Sequence, residues 1–151
     1  MRPIVARDLM SPEVLTAKAE WPVSVLATFL AEHEITGAPV EDEDGFVVGV
    51  VSMVDIVRDF NFMDGGGSYL HVPDRMINGL QEVRLVDEEA LVRDLMTPEP
   101  ISVDPEAGVS EVAMTMLRHH LHRLLVVENG SLVGIVSTSD LLGLLIEGDG
   151  N

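Results

Sequence analysis

The feature that most constrains this chain is a repeat. Arg7-Asp8-Leu9-Met10-Ser11-Pro12 returns as Arg93-Asp94-Leu95-Met96-Thr97-Pro98. Further on, Gly49-Val50-Val51-Ser52-Met53-Val54-Asp55-Ile56-Val57 returns as Gly134-Ile135-Val136-Ser137-Thr138-Ser139-Asp140-Leu141-Leu142, one residue closer because the turn before it is shorter. Self-similarity of this kind marks one supersecondary unit used twice. The 151 residues leave no room for a large catalytic domain beside a regulatory one. The repeat points to two small domains.

Each copy predicts the same string of elements. A short extended run, Val14-Leu15-Thr16 or Ile101-Ser102-Val103, precedes an amphipathic helix. Val23, Leu26, Ala27 and Leu30 fall at helical spacing in the first copy, as do Val109, Val112, Ala113, Met116 and Leu117 in the second. Two β-rich runs follow, Ala38 to Val40 then Phe46 to Val51, and Leu124 to Val127 then Leu132 to Val136. Asp44-Gly45 and Asn129-Gly130 join them, dipeptides that tolerate the positive φ of hairpin turns. A closing helix is expected at Met53 to Asp59 and at Thr138 to Ile146. The order is strand-helix-strand-strand-helix, twice, an α+β fold. Between the copies Gly65-Gly66-Gly67-Ser68 is linker-like, and a mixed segment through Met76, Leu80 and Val83 is expected to hold one helical piece. Phe60, Phe62, Met63, Tyr69 and Leu70 are expected to pack rather than face water.

Charge removes several partner classes. With 26 Asp+Glu against 9 Lys+Arg the formal net charge is −17, which repels phosphate backbones and anionic lipid. Neither nucleic acid nor a membrane is an expected partner. No run approaches the roughly 18 apolar residues of a membrane span, and Met1-Arg2-Pro3 opens unlike a signal peptide. A cytoplasmic protein is expected. The absence of Cys removes disulfides, thiolate nucleophiles and Cys-ligated zinc together.

The ordered set of Met-Ser/Thr-Pro, helix, acidic-Gly or Asn-Gly hairpin, and Gly-apolar-apolar-Ser-x-x-Asp-apolar, met twice, resembles the cystathionine-β-synthase (CBS) domain. In tandem it resembles the CBS pair known as a Bateman module, with residues 1–60 as one domain, 61–90 as linker and 91–148 as the other. The resemblance implies two pseudo-symmetric domains packed through their sheets. It implies clefts for adenosine-containing ligands such as AMP, ADP, ATP or S-adenosylmethionine, a regulated partner protein, and frequent pairing into dimers. It implies no reaction and no cofactor.

Residue roles follow from the same resemblance. Asp140 would accept hydrogen bonds from the ribose hydroxyls, with Ser137, Thr138 and Ser139 holding ribose or phosphate. A carboxylate suits a cis-diol, and helix-start N–H groups suit an anion. Ser-x-x-Asp before an apolar run is equally a variant of the capping box, at Ser137–Asp140 and at Ser52–Asp55, and the two roles are compatible. His122-Arg123 matches a basic pair facing the phosphates, within the only basic cluster in the sequence, Arg118, His119, His120, His122 and Arg123. Cations at a helix C-terminus also offset its dipole. The first copy has Thr36-Gly37 there, so its site, with Ser52, Asp55 and Thr16, lacks the phosphate clamp. Thr16 and Ser102 match positions near the adenine.

Other motifs carry less. His119-x-x-His122 has no evident third ligand, so no metal site is expected. Glu41-Asp42-Glu43-Asp44 lacks the EF-hand pattern and sits in a hairpin. No nucleophile, base and orienter assemble, so no enzyme is expected. The reading is a stand-alone CBS pair that senses an adenine nucleotide and modulates a partner; the alternative is a dimerisation or interaction module with vestigial pockets. The C-terminal apolar run Leu141, Leu142, Leu144, Leu145 and Ile146 predicts a homodimer.

Overall fold

A computed structural model describes residues 2–59 and 90–148, with side chains through 146, and the backbone of 69–71 and 82–84. In chain order the elements are α1 (Ala6–Leu9), β1 (Ala17–Lys18), α2 (Val23–Glu32), β2 (Gly37–Glu41), β3 (Val47–Ser52) and α3 (Met53–Arg58). Then come β4 (Tyr69–His71), β5 (Glu82–Arg84), α4 (Val92–Leu95), β6 (Thr97–Pro98), β7 (Ser102–Val103), α5 (Val109–His119), β8 (Arg123–Glu128), β9 (Ser131–Ser137) and α6 (Thr138–Gly148). The mixed α+β composition agrees with the sequence.

The chain divides into two compact units, Leu15–Glu99 and Met1–Val14 with Pro100–Asn151. Each therefore takes its Met-Ser/Thr-Pro segment from the other repeat. In the first unit the sheet order is β1-β2-β3-β6, with β1 parallel to β2 and the other pairs antiparallel. In the second, β7 runs parallel to β8, β8 pairs antiparallel with β9, and Ser11 bridges Ile135 where β6 stands in the first.

The docked segments match bond for bond. Ala6 N–H donates to the Ala107 carbonyl at 2.8 Å and Arg7 N–H to Pro105 at 2.9 Å; Val92 donates to Trp21 at 2.9 Å and Arg93 to Ala19 at 3.0 Å. The Arg7 guanidinium meets Glu106 and Glu128 at 3.1 and 2.9 Å, and Arg93 meets Glu20 at 2.9 Å. Ala6 is fully buried with Val103, Val112, Leu124, Val126 and Val136, while Val92 joins Ala17, Val23, Leu26, Leu30 and Val40. A docked segment fits closely where the hairpin strand has glycine: a Cβ on Gly49 would lie 2.6 Å from Met96 Sδ, and one on Gly134 2.5 Å from Met10 Sδ.

Helical period explains the cores. Val23, Leu26, Ala27 and Leu30 are all buried on α2, as are Val112 and Met116 on α5. Leu117 is not; it is 70% exposed, one position beyond the buried stripe. The first strand of the first copy forms at Ala17–Lys18 rather than at Val14-Leu15-Thr16, because Ala17 is the residue that faces the core. The hairpin turns differ. Asn129 and Gly130 both take positive φ, 51° and 82°. In the longer first turn Gly45 does so at 85°, while Asp42 Oδ1 accepts from the N–H groups of Asp44 and Phe46 at 2.9 Å each. That acidic run builds a turn.

Between the copies, β4 and β5 pair antiparallel, which places Val83 in a strand; the rest of the segment expected to hold a helical piece lies outside the described residues. Gly65 to Ser68, Phe60, Phe62, Met63, Met76 and Leu80 lie outside the described residues, as do the side chains of Tyr69, Leu70 and Val83.

At α1, Asp8 bonds the Arg2 guanidinium at 2.6 and 2.9 Å and accepts the Val5 N–H at 2.9 Å. Arg2 first, then the Val5 amide, pull the Asp8 carboxyl down from 3.8 to about 2. A carboxyl depressed in the folded state contributes stability above its unfolded value, and loses it as pH falls towards 2. Arg2→Ala raises the Asp8 pKa, yet leaves it below the ordinary value because the Val5 amide remains; carboxyl ¹³C titration by NMR reads both.

Candidate ligand site

The site in the second unit begins with strand pairing. Arg123 stands directly across from Ser137, and Ser102 across from Leu125. Side chains alternate along strands, and Val103, Leu124, Val126 and Val136 fill the core. Ser102, Arg123 and Ser137 therefore share the opposite face. Thr138 opens α6, and its N–H and Oγ1 donate to the His122 carbonyl at 2.9 and 3.1 Å. That ties the basic pair to the helix start.

Asp140 then reaches back. Its Oδ2 accepts from Ser137 N–H at 2.7 Å and from Ser137 Oγ at 3.0 Å, while the Asp140 N–H donates to Ser137 Oγ at 3.3 Å. The capping role is thus present, and Oδ1 takes no hydrogen bond among the described residues. Asp8, Asp55 and Asp94 make the same reach-back to Val5, Ser52 and Leu91 at 2.9, 2.8 and 2.9 Å. Four helix starts use one device.

Charge separates Arg118 and Arg123 from the other described arginines. Arg2, Arg7, Arg58 and Arg93 all pair with carboxylates. Arg118 and Arg123 make no ion pair among the described residues, and both are exposed, as are His122, Thr138 and Ser139. His119 ends α5 and His120 caps it with φ 55°. Among the described residues no three His, Asp or Glu converge on a metal position.

The first unit repeats the frame with different contents. Gly37 stands across from Ser52, and Met53 N–H donates to the Thr36 carbonyl at 2.9 Å. A Cβ on Gly37 would sit 3.0 Å from the Val51 carbonyl oxygen, a tight contact that a basic residue here would have to relieve. Thr16 lies just before β1 and is half-buried. Asp55 Oδ2 takes Ser52 N–H at 2.8 Å and Ser52 Oγ at 3.3 Å, but its Oδ1 accepts from Arg58 at 3.3 Å. Sequence reading passed over Arg58, although its three-residue spacing from Asp55 on a helix is the signal for such a pair.

The duplicated frame is that of a known family: the CBS domain model matches residues 6–61 and again 92–147. The chain belongs to the CBS-domain family. This CBS pair is 29% identical to protein MJ1426 of Methanocaldococcus jannaschii, over 95% of this chain and 92% of that one. It is 34% identical to the chloroplastic CBS domain-containing protein CBSX1 of Arabidopsis thaliana, over 75% of this chain but 51% of that protein. Among solved structures, CBSX2 in complex with AMP aligns with a TM-score of 0.69 and 27% identity, covering 95% of this chain and 97% of that one. The CBS domain of a CBS domain-containing membrane protein from Sphaerobacter thermophilus aligns at 0.66 and 28%, over 95% and 88%. In this CBS pair, among the described residues, no helix is long and apolar enough to cross a membrane.

Proposed function

We propose that this CBS pair is a non-catalytic cytoplasmic sensor that binds an adenine nucleotide, chiefly through its second repeat, and modulates a partner protein. The observation that carries the reading is Arg123, a cation with no ion pair among the described residues, paired on β8 with Ser137 of β9 at the start of the helix that holds Asp140. In this reading Arg123 and His122 face the phosphate, Asp140 and the Ser137-Thr138-Ser139 run take the ribose, and Ser102 lies near the adenine. Thr16, Ser52 and Asp55 form the weaker counterpart. The AMP bound by CBSX2 supports an adenine nucleotide as ligand class.

A thermal-shift screen with AMP, ADP, ATP and S-adenosylmethionine tests the reading. A ligand at a hundredfold excess over its dissociation constant adds about 2.7 kcal/mol, or about 5–10 °C in Tm for a chain of this length. Calorimetry then finds one dominant site per chain. No shift with any of the four overturns the sensor reading and leaves the interaction module.

The interaction module has its own support. Leu142, Leu145 and Ile146 on α6 are 54%, 67% and 75% exposed, a concentration of apolar surface that fits a homodimer interface. Light scattering at tens of micromolar gives twice the chain mass in this reading, and Leu145→Glu with Ile146→Glu returns it to one.

A further inference from the structure

The helices that follow the two hairpins treat the same carboxylate differently. On α3, Asp55 Oδ2 is used by the Ser52 cap and Oδ1 by Arg58 at 3.3 Å. The Asp55 side chain is only 12% exposed, and the Arg58 side chain that meets its second oxygen is 73% exposed. On α6 the cap uses Asp140 Oδ2 in the same way, but the position that matches Arg58 is Gly143. A Cβ added there meets nothing within 4 Å among the described residues, so packing among them does not demand glycine. Its backbone is helical, so neither does φ. Glycine in a helix interior costs about 1 kcal/mol against alanine, and neither of the usual structural reasons for one operates here.

A cis-diol held by either Asp needs the oxygen that the cap leaves over. We propose that Arg58 is a latch that withholds Asp55 from ribose hydroxyls, and that Gly143 is the specificity-determining position that keeps Asp140 open to them. The proposal rests on the nucleotide reading and deepens it: the inequality of the two repeats lies in the ribose position as well as in the missing basic pair. Because the Arg58–Asp55 pair is largely solvated on the arginine side, it competes with a diol rather than closing the site, by about two- to fivefold in affinity.

The test uses adenosine, which has no phosphate for an arginine to attract, titrated into the full chain. The backbone amides of Ser52 and Ser137 report the two repeats separately by NMR. Arg58→Ala, which keeps the short helix α3 a good helix former, tightens the dissociation constant read at Ser52 about two- to fivefold and leaves that at Ser137 unchanged. Gly143→Arg weakens the constant read at Ser137 by the same factor and leaves Ser52 unchanged. With 2′,3′-dideoxyadenosine neither variant differs from wild type. Adenosine binding to wild type with both variants silent overturns the latch alone. Equal effects on the dideoxy ligand also overturn it, since bulk rather than the diol is then at work. If wild type binds no adenosine or AMP at either repeat, the nucleotide reading fails and the latch falls with it.

Discussion

Gly49→Ala destabilises the protein by about 1–3 kcal/mol, and Gly49→Val by more. Gly49 lies on the core face of β3, paired with Val40 on one side and Pro98 on the other. An added Cβ falls 2.6 Å from Met96 Sδ, 3.0 Å from its Cγ and 2.8 Å from the Thr97 carbonyl oxygen. A thioether can swing away, but Thr97 is held in the ladder opposite Val50 and its carbonyl cannot. The clash therefore forces the docked segment off the sheet, and Met96→Ala does not restore stability. Gly134 provides the contrast, because the three atoms nearest its added Cβ, at 2.5, 2.7 and 2.9 Å, all belong to Met10. Gly134→Ala is partly rescued by Met10→Ala, which removes two of the three. Denaturant unfolding of the single and double variants, read as two mutant cycles, checks both statements. A neutral Gly49→Ala, or full rescue by Met96→Ala, means that the segment is not seated as described.

What was legible in the sequence is what is local. The hairpins follow from Asn129-Gly130 and Gly45, where positive φ is required, and the reach-back of Asp55 and Asp140 from a three-residue spacing. The buried stripe of α2 follows from helical period. What was not legible is which partner a segment meets across the chain: Arg7 pairs with Glu106, and Met10 fills the space above Gly134. No window of sequence encodes that exchange, although the Met and the Gly recur together in both copies. The site divides in the same way. The cap at Asp140 was readable from spacing, whereas the placement of Arg123 across from Ser137 depends on strand register, which spacing does not fix. At Glu41 to Asp44 the hairpin turn read from the sequence is the one observed; what the spacing left open is that Asp42 Oδ1 closes it.

Asp140 and Arg123 separate the two halves of a nucleotide. Asp140→Asn keeps an oxygen for the Ser137 amide and hydroxyl but loses the charge, whereas Asp140→Ala loses both and lowers stability by about 1 kcal/mol through the cap. A charge-assisted hydrogen bond contributes about 1.5–3 kcal/mol, so either variant weakens AMP by roughly 10- to 150-fold. Arg123→Ala weakens AMP to a similar degree and leaves adenosine nearly unchanged, because its guanidinium makes no ion pair among the described residues and has only the phosphate to lose. The ribose role is isolated by 2′,3′-dideoxy ligands, which bind wild type poorly and the Asp140→Asn variant no worse. Calorimetry with AMP, adenosine and the dideoxy ligand on each variant gives the full set of differences. If Asp140→Ala lowers Tm but both Asp140 variants keep wild-type AMP affinity, the carboxylate is a helix cap alone. The α6 surface of Leu142, Leu145 and Ile146 then becomes the feature that the second repeat exists to present.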